Sequence, residues 1–143
     1  KNFYFSHANP YNYGDWTYLN EADEIKRAIK CLKELNVNIG IFGHTHRLKG
    51  FVFNTIKKEL KEISTNVIID KNNDEIFILN SGSIGQPRGR GLSFLKLDLS
   101  INNIKSEHLN KTIVKEDMLL KINATTLNEN TKKQLLKFWE NNS

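Results

Sequence analysis

The apolar positions change period several times along the chain, and each change marks a predicted element. Phe3-Tyr4-Phe5 is an aromatic, strand-like run that breaks at His7-Ala8-Asn9-Pro10, where Asn and Pro end regular pairing. Tyr11 to Leu19 shows no period, and Gly14 and Asp15 read as turn residues. Asn20 is the expected N-cap, with Glu21, Asp23 and Glu24 in the first turn, and Ile25, Ala28, Ile29, Leu32 and Leu35 follow at helical spacing as far as Asn36. Val37 to Phe42 returns to strand formers and stops at Gly43. The unit is strand, helix, strand, for which a right-handed parallel crossover is expected.

Further along, Phe51-Val52-Phe53 predicts a short strand. Ile56, Leu60 and Ile63, behind an Asn54-Thr55 cap, predict a short amphipathic helix. Val67-Ile68-Ile69 and Ile76 to Leu79 flank the turn-like segment Asp70 to Asp74 and predict a hairpin, while Leu92 to Leu99 and Ile104 to Val114 predict two strands meeting at Asn102-Asn103. The character changes at Lys115, after which Leu135, Phe138 and Trp139 predict one terminal helix docked on the body. The pattern is α/β, divided into a body over residues 1–114 and a tail over 115–143.

Composition narrows the classes. At 143 residues, 38% hydrophobic and 26% charged, the chain is an ordinary globular domain with room for a core. No apolar run approaches the roughly 18 residues that span a bilayer, so no membrane partner is expected. The single cysteine, Cys31, forms no intrachain disulfide, and a cytoplasmic setting is the expectation. The net charge of +5 is spread: Lys57, Lys58 and Lys61 alternate with Glu59 and Glu62, as on a solvated face, so no nucleic-acid surface is expected.

Histidines supply the candidate chemistry. His7 follows directly on the first strand, and His44 and His46 follow the strand that ends at Gly43. Ligands in open α/β sheets bind at the carboxyl ends of strands, which places all three imidazoles on one edge. Residues two apart in extended chain project to one side, so His44 and His46 can reach neighbouring metal positions, and imidazole is the commonest transition-metal ligand. His108, in a polar stretch, reads as a surface residue. Asn80 to Arg90 is a second constellation, whose small residues can bring free amides to an anion and whose Arg88 can contact phosphate in bidentate fashion.

Ser6-His7-Ala8-Asn9-Pro10, Phe42-Gly43-His44-Thr45-His46 and Asn80-Ser81-Gly82-Ser83-Ile84-Gly85-Gln86-Pro87-Arg88 resemble, in order, three C-terminal motifs of the bacterial calcineurin-like metallophosphoesterases. The resemblance covers about residues 3–99. It implies the second half of a mixed β-sandwich flanked by helices, and metal-dependent hydrolysis of a phosphate ester at a dinuclear site. His7 and His44 would ligate one divalent ion and His46 the other, with Mn, Fe or Zn as candidates. Ala8 and Leu48 stand where the family commonly has Gly and Pro. The family's N-terminal motifs, Asp-x-His, Gly-Asp-x-x-Asp and Gly-Asn-His-Asp/Glu, do not occur, so no catalytic acid or base is identifiable in this half.

The implied partners are a phosphorylated substrate and an N-terminal half of the same domain, without which the chain alone is expected to be inactive. Two other readings use the same residues: a non-catalytic protein-binding scaffold on the phosphoesterase fold, and a mononuclear zinc hydrolase on the three histidines. The start at Lys1 reads as a cut, and a sheet cut there should leave Phe3, Tyr4, Phe5, Ile39, Ile41 and Phe42 partly bare.

Overall fold

The computed structural model describes residues 2–64, 66–70, 74–88, 91–100, 103–111 and 114–141. Strand β1 (Phe3–Ser6) leads through helix α1 (Ala22–Glu34) to β2 (Ile39–Phe42). The chain continues with β3 (Leu48–Asn54), β4 (Glu59–Ile63), β5 (Val67–Asp70), β6 (Glu75–Ser81), β7 (Leu92–Leu99), β8 (Asn103–Lys111), α2 (Lys115–Asn123) and α3 (Glu129–Asn141).

A five-stranded sheet runs in the order β1-β2-β6-β3-β4, and a three-stranded sheet in the order β5-β8-β7. β1, β2 and β6 are parallel, with Ser6 level with Phe42 and Phe42 level with Asn80, while β3 runs antiparallel to both β6 and β4. The carboxyl ends of the three parallel strands therefore lie side by side. The fold class is α/β with a mixed sheet, as the sequence predicts.

Strand β6 is buried over Ile76 to Asn80, on both of its faces, and its side chains sort the core in two. Ile76 and Ile78 join Leu19, Ile25, Ala28, Ile29, Leu32, Val37 and Phe42 under α1. Phe77 and Leu79 join Ile39 and Ile69, with Leu95 and Leu97 of the smaller sheet packed against them. The larger sheet is thus the middle layer, between a helix and a second sheet.

Helix α1 begins behind Glu21, which makes no side-chain cap hydrogen bond; Asn20 is not the N-cap, and its Oδ1 is buried without a partner. The other end is specified more fully. Asn36 adopts φ +54°, its amide donates to the Lys33 carbonyl at 3.0 Å, and the Val37 amide donates to the Leu32 carbonyl at 2.8 Å. That is a Schellman stop with its C3 and C″ side chains, Leu32 and Val37, in one core cluster.

Four expectations are corrected. Residues 55–58 form a turn and Glu59–Ile63 a strand, not a helix: Asn54 Oδ1 accepts from the amides of Ile56 and Lys57 and reverses the chain. Leu60 packs toward α1 and Ile63 toward the smaller sheet, opposite faces that suit strand and not helix periodicity. β5 and β6 are not a hairpin; β5 pairs with β8, and β6 lies between β2 and β3 in the other sheet. Residues 71–73 between them lie outside the described residues. Among the described residues the tail forms two helices with Ile122 and Trp139 buried, and the Phe138 side chain lies outside the described residues. Lastly, of the residues expected to be partly bare, Ile39 and Phe42 are buried at 0% and 2% exposure, whereas Phe3, Tyr4 and Ile41 are half-buried and Phe5 is 66% exposed.

Strands β7 and β8 pair antiparallel from Leu92↔Lys111 to Leu99↔Ile104, as expected. Residues 101–102 and 112–113 lie outside the described residues, and Val114 caps α2 instead of ending a strand.

Candidate metal centre

Each of the three parallel strands delivers one piece of the site from its carboxyl end. β1 delivers His7, β2 delivers Gly43 to His46, and β6 delivers Asn80 and the loop to Arg88. The pieces are tied by backbone: the Gly43 amide donates to the His7 carbonyl at 3.0 Å, and the buried Asn80 donates through Nδ2 to the Gly43 carbonyl at 2.9 Å. The imidazoles of His7 and His44 stand with ring centroids 5.2 Å apart, inclined by 62°.

The expected extended backbone through the Gly-His-Thr-His unit is not what forms. His44 and His46 both adopt left-handed conformations, φ +61° and +56°, and Gly43 does not. The Thr45 amide donates to the Gly43 carbonyl at 2.6 Å, which makes His44 the centre of a three-residue γ-turn with positive φ, a strained form. Buried Thr45 stabilises it, its Oγ1 accepting from the Arg47 amide at 3.2 Å. Non-glycine residues in that region cost about 1–3 kcal/mol each and persist only when their surroundings over-determine them.

The surroundings here are the loop after β6. His46 Nδ1 lies 2.8 Å from the Gln86 carbonyl oxygen, and the Arg88 amide donates to the His46 carbonyl at 2.9 Å. A carbonyl only accepts, so Nδ1 carries the hydrogen, and in the neutral ring Nε2 then keeps its lone pair. An imidazole fixed in one tautomer by a backbone carbonyl is the arrangement found behind metal-ligating histidines. By this test His46 fits a metal ion.

Amides in the same loop are occupied within the protein. Gly82 donates to Asn80 Oδ1, Ser83 to Ser93 Oγ, and Gly85 and Gln86 to Ser83 Oγ. The segment is thus a brace under His46, and these amides do not form the open anion cradle that the small residues allow. Gly89 and Arg90, the end of that motif, lie outside the described residues.

Arg88 is held elsewhere. Its guanidinium lies 5.6 Å from the centroid of the Tyr18 ring, with Nη1 3.5 Å from Tyr18 Oη. Tyr18 in turn stacks on His44, centroids 4.4 Å apart and planes within 9°. Trp16 completes the cluster, 5.8 Å from His7 and 5.5 Å from His44. Burial, the nearby His7 and the weaker charges of His46 and Arg88 lower the pKa of His44, opposed by a hydrogen bond to the Trp16 backbone.

Sequence reasoning missed Trp16 and Tyr18, which sit in the aperiodic stretch 11–19. What organises that stretch is Asn9, 5% exposed, whose Nδ2 reaches the Asp15 carbonyl at 2.9 Å, Asp15 Oδ1 at 3.1 Å and the Thr17 carbonyl at 3.2 Å. The structure brings His7 and His44 together and sets His46 on the same edge. Among the described residues no three His, Cys, Asp or Glu side chains are grouped so as to hold a metal ion by themselves. The His108 side chain lies outside the described residues.

No helix among the described residues is long and apolar enough to cross a membrane. The sequence matches no protein-family profile and no curated protein. The fold is similar to that in the crystal structure of a metallophosphoesterase from Sphaerobacter thermophilus, with a TM-score of 0.62 and 16% identity over 93% of this chain and 54% of that one. The chain therefore spans about half the length of that protein and has a metallophosphoesterase-like fold over that part.

Proposed function

We propose that this chain is the C-terminal half of a two-metal phosphoesterase, in which His7, His44 and His46 ligate divalent ions and the substrate is a phosphate ester. The observation that carries the proposal is the tautomer of His46, fixed by the Gln86 carbonyl so that Nε2 is free for a cation, on the strand edge that also holds His7 and His44. Residues 1–114 would belong to the catalytic domain and 115–143 would be its helical tail. The remaining ligands would come from an N-terminal half. His7 and His44 pair at the strand edge, and among the described residues no third ligand joins them; a second half would supply it.

Two bound ions, Mn, Fe or Zn by ligand type, would polarise the phosphoryl group and supply hydroxide near neutral pH. His46 would present Nε2 without reorganising, because the loop to Arg88 holds both its ring and its carbonyl. Arg88, already at the rim through Tyr18, would turn its guanidinium to a phosphate oxygen.

The test is metal content together with hydrolysis of an aryl phosphate, measured on the protein with both halves present. His7→Ala, His44→Ala and His46→Ala should each lower bound metal and turnover, and His108→Ala should change neither. Four variants indistinguishable from the unaltered protein by elemental analysis would remove the assignment. The 143-residue chain alone should give background turnover; robust hydrolysis by it would show that no second half is needed.

A further inference from the structure

The buried run of β6 contains one polar residue. Ile76, Phe77, Ile78 and Leu79 are apolar, and Asn80, 5% exposed, ends the run level with Phe42 of β2. A buried carboxamide costs free energy unless its donor and its acceptor are both used. Here both are: Nδ2 donates to the Gly43 carbonyl at 2.9 Å, and Oδ1 accepts from the Gly82 amide at 3.2 Å.

These two partners stand at the roots of the two ligand groups. The Gly43 amide donates to the His7 carbonyl at 3.0 Å, and the Gly43 carbonyl also accepts from the Thr45 amide at 2.6 Å, which closes the strained turn at His44. With the Thr45 amide in place that carbonyl already has a donor, so Asn80 is not there to fill an empty acceptor. What it adds is a fixed orientation for the peptide from which His44 leaves. Gly82, at the other end of the carboxamide, opens the loop that runs to Gln86, whose carbonyl takes the hydrogen of His46 Nδ1 at 2.8 Å.

Resting on the two-metal reading above, we infer that Asn80 is a positioning residue for both ions: its carboxamide fastens the His7–His44 pair to the loop that braces His46, so that the two ligand groups keep one spacing. Both of its polar ends are engaged within the protein, so its part is to place ligands and not to be one. With His7 and His44 on one ion and His46 on the other, cutting this link lets the two positions drift, and binding of the first ion no longer prepares the second. Partners behind metal ligands are commonly worth about 10–100-fold in metal affinity. Asn80→Asp keeps the acceptor for the Gly82 amide but sets a carboxylate against the Gly43 carbonyl, and Asn80→Leu keeps the volume and loses both bonds.

The test reads metal binding and not turnover. On the protein with both halves present, Mn²⁺ is titrated by calorimetry, and the spin-coupled electron paramagnetic resonance signal of a Mn²⁺ pair is recorded at equal metal loading. The unaltered protein should bind two ions and show the coupled signal. Asn80→Asp and Asn80→Leu should each weaken the second ion by about 10–100-fold and lose the coupled signal. Asn80→Ser, whose hydroxyl is too short to span both partners, carries the same expectation should the other two fail to fold. Ile78→Val, which trims the core under α1 on the same strand, should melt earlier with affinity and signal unchanged. An Asn80 variant that melts earlier yet binds two coupled ions as tightly as before would overturn the inference, since Asn80 would then serve packing alone. Equal loss of metal in Ile78→Val would overturn it too, because affinity would then follow stability. Fewer than two ions on the unaltered protein would overturn the two-metal reading itself, and this inference with it.

Discussion

His46 Nδ1 donates to the backbone carbonyl of Gln86 at 2.8 Å, across 40 residues of sequence, and so the loop after the central strand decides which nitrogen of His46 faces outward. The loop is itself set by Gly82, which has φ +74° and where a Cβ would lie 1.8 Å from Ser93 Oγ.

Gly82→Ala is therefore expected to destabilise the fold by about 2 kcal/mol, from left-handed strain plus displacement of Ser93. Because Ser93 Oγ also accepts from the Ser83 amide, the loop must move and the support of His46 loosens. Metal affinity should fall by about 10–100-fold, the usual cost of losing an outer-shell partner. A thermal melt and a metal titration check the two effects separately. A variant with unchanged metal affinity would show that the brace does not matter to the ion.

Asn9→Ala addresses the aromatic loop. Removing a buried amide that holds two carbonyls and a carboxylate should cost about 2 kcal/mol, and the loop should lose its fixed shape. Emission from Trp16, exposed where Trp139 is buried, should become more accessible to an added quencher. Asn9→Asp keeps the acceptor to the Tyr11 amide but not the donor, and should behave like the alanine variant.

Local pattern carried the reading of the first strand, α1, β2 and the β7–β8 pair, where one period runs long enough to be unambiguous or a turn lies between neighbours. It failed at Ile56, Leu60 and Ile63, whose spacing suits a helix, because pairing of Glu59–Ile63 with Gly50–Asn54 outweighed local preference. It failed again at β5 and β6, which are adjacent in sequence but belong to different sheets; only the positions of β2 and β8 decide that. The placement of His7, His44 and His46 on one edge of the sheet was legible because they follow the ends of β1 and β2. Trp16 and Tyr18 were not, since no periodicity runs through their loop and Asn9 places them through side-chain contacts. The left-handed turns at His44 and His46 were hidden for a related reason: the strain is upheld by residues 86 and 88, far along the chain.

Tyr11 gives a pH signature. Burial is the main cause that pushes its hydroxyl up to about 12 from an ordinary value of 10; the Arg27 guanidinium 3.9 Å from the ring centre opposes it, while Glu24, Asp15 and Cys31 add to it. A folded pKa above the unfolded one means that the native state holds the proton longer. The contribution is thus complete below pH 10 and lost as pH rises from 10 to 12. Tyr11 also donates to the Glu24 carbonyl, so Tyr11→Phe should cost about 1 kcal/mol at neutral pH. The difference between the two proteins should narrow above pH 10. Parallel stability curves from pH 8 to 12 would mean that Tyr11 titrates alike folded and unfolded.

The last prediction concerns β1, the end strand of the larger sheet, which among the described residues pairs with β2 alone. Its outward ladder is open, and Phe5 is 66% exposed beside it with Phe3 stacked 6.1 Å away. An open edge with aromatic side chains is a template for another strand. The 143-residue chain is expected to self-associate through this edge at micromolar concentration, as seen by light scattering. Phe5→Lys places a charge on the edge and removes little buried area, so it should suppress association and change the melting temperature of the monomer hardly at all. Ile39→Lys on the neighbouring strand is the contrast: Ile39 is 0% exposed, and a charge there should prevent folding altogether. If Phe5→Lys associates as the unaltered chain does, the contact lies on another surface. If the unaltered chain stays monomeric, the β1 edge is protected as it stands, and no second strand is required to cover it.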